Sequence, residues 1–155
     1  MLPERNTYAD SRIVARSEHC FVILNNAPYA PGHLMVIPYR HTGEWASLSD
    51  AALLDHAKTK NAAIAALESG MGPDGINAGE NLGGKAAGGS IDDHVHTHLV
   101  PRWNGDTNFM PVLSDTKVIV ESLEASYEKL HEAFSALPEA TDTAESPGAV
   151  RLHFE

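Results

Sequence analysis

Short runs of apolar residues punctuate the first forty positions. Ile13 and Ala15 alternate with Arg12 and Arg16, Cys20-Phe21-Val22-Ile23-Leu24 is continuous, and Leu34-Met35-Val36-Ile37-Pro38 follows His33. Period-two alternation, or a short apolar run between turn residues, is the pattern of a strand. Strands are predicted over 11–17, 20–24 and 33–38, the first two forming a hairpin that turns near Glu18-His19. Asn25-Asn26-Ala27-Pro28 and Ala30-Pro31-Gly32 supply turn chemistry before the third. From residue 47 the period changes. Ser47-Leu48-Ser49-Asp50 is a variant capping box, and Leu53, Ala57, Ile64 and Leu67 recur at helical spacing. They predict a helix to about Ser69 with Gly70 as its stop. A turn at Gly72-Pro73-Asp74-Gly75 precedes a predicted short strand over Ile76–Gly79. Lys117–Val120 reads equally as an edge strand or a helix lead-in. Leu123, Tyr127, Leu130, Phe134 and Leu137 predict a second amphipathic helix, closed by Pro138.

Between these lies His94-Val95-His96-Thr97-His98-Leu99-Val100-Pro101. Its strict alternation predicts a strand with the three imidazoles on one face, about 6.7 Å apart, and with Val95, Thr97 and Leu99 facing a core. A glycine-rich loop, Gly83 to Ser90, feeds it. The order β-β-β-α-β-β-α, with strands able to pair antiparallel and helices on one side, predicts an α+β fold. Residues 1–10 read as a polar arm, and a domain is expected over 11–137 with an acidic tail over 138–155. Val150, Leu152 and Phe154 alternate at the end of that tail; docking on this domain and docking on a second subunit both stay open.

Composition narrows the picture. The chain has 155 residues with 43% hydrophobic content, ordinary for one domain with a real core. No apolar run is long enough to span a membrane. Met1-Leu2-Pro3-Glu4-Arg5 lacks the apolar segment of a signal peptide, so a cytoplasmic location is expected. The single cysteine, Cys20, allows no intrachain disulfide and reads as a small core residue. A net charge of −10 argues against nucleic-acid and anionic-membrane partners. Any anionic ligand must then be held by local groups: backbone dipoles, histidines, Lys85 and Arg102.

Three histidines in register admit three readings. A hydrogen-bonded polar face suits one histidine better than three. Zinc is a second reading, with His33 as a further ligand, but outer ligands about 13 Å apart on one flat strand converge badly. The third, favoured here, is phosphoryl or nucleotidyl transfer: neutral imidazole is a nucleophile near pH 7, and its cation binds phosphate oxygens. The glycine loop is not a Walker A motif, since Ala86 stands where Ser or Thr is required after Lys85. It can still present an anion nest of N–H groups, to which Ser90 adds a hydroxyl. Asp92 and Asp93 weigh against that nest unless they point to solvent, and Trp103 alone reads as packing.

Pro31-Gly32-His33 leading into a strand, followed by the His94 to Val100 run, resembles the histidine-triad (HIT) superfamily. Thr97 is a mild departure at a normally apolar position. Gly88-Gly89-Ser90 before the triad and Pro101 to Phe109 after it are similar to the family's bacterial diadenosine tetraphosphate (Ap4A) phosphorylase-like branch. The resemblance implies a five-stranded, mainly antiparallel sheet with two main helices, usually in a homodimer. It implies attack by His96 on the α-phosphorus of a nucleotide, with His33, His94 and His98 around the phosphates. Asn25 matches a ribose contact; Asn81, Gly89, Ser90 and Trp103 match other nucleotide contacts. No resident cofactor is implied, although a divalent metal can arrive with the nucleotide. Cys20 alone cannot build the paired-cysteine zinc site of some relatives. The implied partners are a dinucleoside polyphosphate and, for a phosphorylase, inorganic phosphate. For His96 to attack, one ring nitrogen must keep its proton, and the His94 carbonyl is placed to hold it. Alternatives are hydrolysis of the same substrates, a purine nucleoside phosphoramidase, a metal-dependent hydrolase and, in a different class, a non-catalytic nucleotide-binding protein.

Overall fold

The computed structural model describes residues 12–26, 28–87, 93–106, 121–141 and 148–155. Strands β1 (Ile13–Arg16), β2 (Cys20–Leu24) and β3 (Leu34–Pro38) lie where the alternation predicts them. Helix α1 (Asp50–Met71), β4 (Gly75–Gly79), β5 (Thr97–Arg102) and helix α2 (Leu123–Ser135) follow. Two strands close the order, β6 (Ala140–Thr141) and β7 (Val150–Leu152). Among the described residues they build one sheet in the order β4-β5-β3-β2-β1-β7-β6.

The fold is α+β with two main helices, but the sheet has seven strands where five were expected. The five, β1 to β5, pair antiparallel throughout. The other two come from the segment expected to be a tail. Val150 and Leu152 are buried while Arg151 between them is exposed. This three-residue alternation pairs parallel with β1, Ala15 against Val150 and Arg16 against Arg151. The end of the chain therefore docks on its own domain and covers the β1 edge, which would otherwise expose unpaired backbone groups.

In helix α1 the capping residue is Ser49 rather than Ser47, its side chain accepting from the Ala52 N–H at 3.1 Å. The buried face is Ala52, Thr59, Ala62, Ala63, Ala66 and Leu67, whereas Leu53 is 38% exposed. Alanines let the helix lie close to its neighbours, so the packing stripe is marked by small residues rather than by leucines. Gly70 does not end the helix; Gly72, at φ 61°, does. A Cβ on Gly70 would lie 2.8 Å from the Ala133 Cβ, so its hydrogen lets α2 cross α1. Both helices pack on one sheet face, around Val14, Val22, Leu24, Leu34, Val36 and Leu99. Cys20 is buried in this core, as expected.

Candidate functional site

The predicted histidine strand begins late. Val36 faces Thr97, Met35 faces His98, and the β3–β5 ladder extends no further back towards His94. His94 and His96 precede β5 rather than lying on it, and the His96 and His98 rings stand closer together than the roughly 6.7 Å of an even strand. Two long-range bonds bend this segment: Val95 N–H donates to the Thr42 carbonyl at 2.8 Å, and His94 Nε2–H donates to the Pro38 carbonyl at 2.7 Å. Val95 is buried against Leu48, Ala52 and Trp45. The bend brings the His96 and His98 rings to a centroid distance of 4.9 Å, nearly edge-on.

Two hydrogen-bond chains fix the protons on these rings. A carbonyl oxygen can only accept, so the 2.9 Å bond between His96 Nδ1 and the His94 carbonyl places a proton on Nδ1. In the neutral ring the lone pair is then on Nε2. The second chain starts at the Tyr29 backbone N–H, which donates to His33 Nδ1 at 3.2 Å. His33 must therefore carry its neutral-state proton on Nε2, which it donates to His98 Nδ1 at 2.9 Å. That leaves the His98 proton on Nε2. One ring of the His96–His98 pair presents a lone pair and the other an N–H.

Burial favours the neutral form of the flanking rings. His33 is 1% exposed, and desolvation, assisted by His98, pushes its pKa down to about 4. Desolvation lowers His98 too, reinforced by His96 and opposed by Glu80. His94 is lowered by burial, against the support of its bond to Pro38. His96 is buried, at 7% exposure, but among imidazoles and a carbonyl rather than in the apolar core.

The other candidates scatter. Asn25 follows β2 and is tied to the His33 segment, its N–H donating to the His33 carbonyl at 3.0 Å. Asn81 lies just beyond β4, half-buried. Gly89 and Ser90 lie outside the described residues, as do Asp92 and Lys117–Val120. The structure does not bring Trp103 to the imidazoles of its own chain. It lies five residues beyond His98 along the strand, about 16 Å away at the usual rise. Its indole N–H donates to the Gly72 carbonyl at 3.1 Å. It lines a surface depression of about 360 Å³ with Asp74, Asn77, Arg102, Asn104 and Asp106.

Sequence reasoning missed two rings at the site. Tyr29 stacks on His33 at 5.1 Å and is 61% exposed. His41 lies against His94 at 4.9 Å and within 3.4 Å of the Asp93 carboxylate. Their position just after the Asn-Pro turn and just after β3 was the available signal. Among the described residues no group of three or more His, Cys, Asp or Glu side chains could hold a metal ion. No helix among them is long and apolar enough to cross a membrane.

Comparison with known proteins gives three findings. The model of the HIT domain family matches residues 6–105. A Mycobacterium tuberculosis AP-4-A phosphorylase is 42% identical over 111 residues, covering 72% of this chain and 56% of that protein. The chain thus spans little more than half the length of that relative. Among solved structures, a histidine triad nucleotide-binding protein from Sulfolobus tokodaii superposes with a TM-score of 0.68 at 25% identity, covering 88% of this chain and 91% of that one. A zinc-bound histidine triad family protein from Mycobacterium smegmatis superposes with a TM-score of 0.64 at 28% identity, covering 79% and 83%.

Proposed function

The chain belongs to the HIT domain family, and from that premise we propose that it cleaves dinucleoside polyphosphates of the Ap4A type at the α-phosphorus, by phosphorolysis through a nucleotidyl-histidine. The observation that carries this reading is the His96 tautomer: Nδ1–H is held on the His94 carbonyl, which leaves the Nε2 lone pair for attack. The AP-4-A phosphorylase relative supports the substrate class.

In the first step the Nε2 lone pair forms an N–P bond to the α-phosphorus. The bridging P–O bond breaks, and its electron pair leaves on the oxygen of the departing ATP, which His98 Nε2–H hydrogen-bonds. The nucleotidylated ring of His96 is cationic, and the His94 carbonyl on its Nδ1–H stabilises that charge. In the second step an oxygen of inorganic phosphate bonds to phosphorus and the N–P pair returns to Nε2, giving ADP. Nothing is oxidised or reduced. His33 holds His98 in its donor tautomer, and His94 lies beside the phosphates. Asn25 takes the ribose, while Asn81, Gly89 and Ser90 direct donors to the nucleotide and to the equatorial oxygens of the transition state. Trp103 of the same chain is left out of this set because of its distance. In this reading the chain works as a homodimer in the cytoplasm.

Mixing the protein briefly with Ap4A and searching its peptides by mass spectrometry tests the intermediate: an AMP adduct on His96 is expected, and its absence under turnover conditions defeats the covalent route. Products decide the acceptor. ADP plus ATP in the presence of phosphate is expected; AMP plus ATP irrespective of phosphate means hydrolysis instead.

A further inference from the structure

Thr97 breaks the apolar pattern between two site histidines, and the structure gives its hydroxyl two partners. Thr97 is fully buried. Its Oγ1–H donates to Glu80 Oε2 at 2.8 Å, so the oxygen accepts from His56 Nε2–H at 3.0 Å. His56 comes from the first turns of α1, with the Trp45 ring edge-on at 4.6 Å. Glu80 is the residue after β4. The β4–β5 ladder ends at Gly79 against His98, so the Glu80–Thr97 bond stands where the next rung would be. A side-chain tie takes over where backbone pairing stops, at the residue that joins His96 to His98.

We infer that Glu80, Thr97 and His56 are positioning residues: they fix the backbone between the nucleophile and the donor ring, with the Glu80 carboxylate held on the Thr97 side of that backbone. Two physical consequences follow. The 4.9 Å edge-on arrangement of His96 and His98 depends on one backbone unit, and a displacement of reacting groups by a fraction of an ångström is costly in transfer reactions. A fixed carboxylate also favours the protonated form of His98 against the desolvation that disfavours it. The titratable groups around His98 are His33 from the turn before β3, His96 on its own segment and Glu80 beyond β4. Those around His56 are Asp55 and Lys60 on its own helix and Glu80.

The catalytic part of this inference rests on the function proposed above; the structural part does not, and its test needs no substrate. Glu80 is exposed, so Glu80→Gln removes the charge from a folded protein while keeping an acceptor for Thr97. Imidazole titrations followed by NMR are expected to show the His98 pKa falling by about 0.3 unit or more in Glu80→Gln; a smaller change overturns the electrostatic role. Thr97→Val is expected to lower kcat on Ap4A about tenfold with KM unchanged, and Thr97→Ser to retain it. A Thr97→Val enzyme with wild-type kcat overturns the positioning role. If the wild-type protein cleaves no dinucleoside polyphosphate, the function proposal fails alone, and the His98 titration still decides this one.

Discussion

The two ends of β5 use hydrogen bonds of similar length for opposite purposes. At the start, His98 accepts from His33 at 2.9 Å, and His33, His96 and Thr97 around it are buried. At the end, Arg102 Nε and Nη2 donate to the two Asp106 carboxylate oxygens at 2.7 and 3.0 Å, and Nη1 donates to Asn77 Oδ1 at 2.9 Å. Arg102 is one of the few cations the sequence offers to an anionic ligand, but its fork is committed to Asp106 and Asn77. It organises the loop that carries Trp103, whose backbone N–H also donates to Asp106. Paired charges at the wet end organise a loop; at the other end hydrogen bonds to the His94 carbonyl and from the Tyr29 amide fix which ring nitrogens carry protons. Burial, more than formal charge, sets the two ends apart.

The largest expected effect is at the buried end. His96→Ala should cut Ap4A turnover by about 10⁴-fold or more while a non-cleavable analogue still binds, as loss of a nucleophile does; substantial residual turnover would erase the contrast. Ser90→Ala should lower kcat by about 10- to 1000-fold, the range for removal of one transition-state donor; an unchanged rate removes Ser90 from the proposed set.

Acid should then separate the two ends by stability. An ordinary histidine titrates near 6.5, and burial holds folded His33 down to about 4. Between these values the unfolded chain takes up a proton that the folded chain refuses. The stabilisation is complete above 6.5 and is lost as pH falls towards 4, by up to about 3 kcal/mol. Melting curves at pH 7.5 and 4.5 should show this drop, and His33→Asn should shrink it; an equal drop in both proteins would assign acid sensitivity elsewhere. The smallest effect belongs to the wet end. Asp106→Asn should move Tm by less than about 4 °C, because the Arg102–Asp106 pair is partly exposed, its side chains 43% and 20% accessible. A larger shift would mean that the loop contributes more than its exposure suggests.

Much of this is readable in the residues, and the failures have local causes. Strands β1 to β3 and helix α2 are plain in the pattern, and the His-X-His-X-His run marks both the candidate site and the carbonyl that sets the His96 tautomer. The run reads as one flat strand because the groups that bend it, the Pro38 and Thr42 carbonyls, are some fifty residues away. His56 and Glu80 escape a sequence reading because they lie 41 and 17 residues from Thr97. The buried stripe of α1 is easily misplaced because alanines, rather than leucines, face the core. Strand β7 is lost in an acidic segment because a three-residue alternation carries almost no periodic signal.

The Tyr29 amide holds a quieter consequence. It donates to the nitrogen that His33 would use to take up a second proton, so that bond and a charged His33 exclude one another. Deuterium uptake at this single main-chain position therefore serves as an internal gauge. Strong protection marks the neutral His33, and a loss of protection on acidification, measured against an intrinsic rate that itself falls with pH, marks its protonation, with no ligand, dye or substitution added.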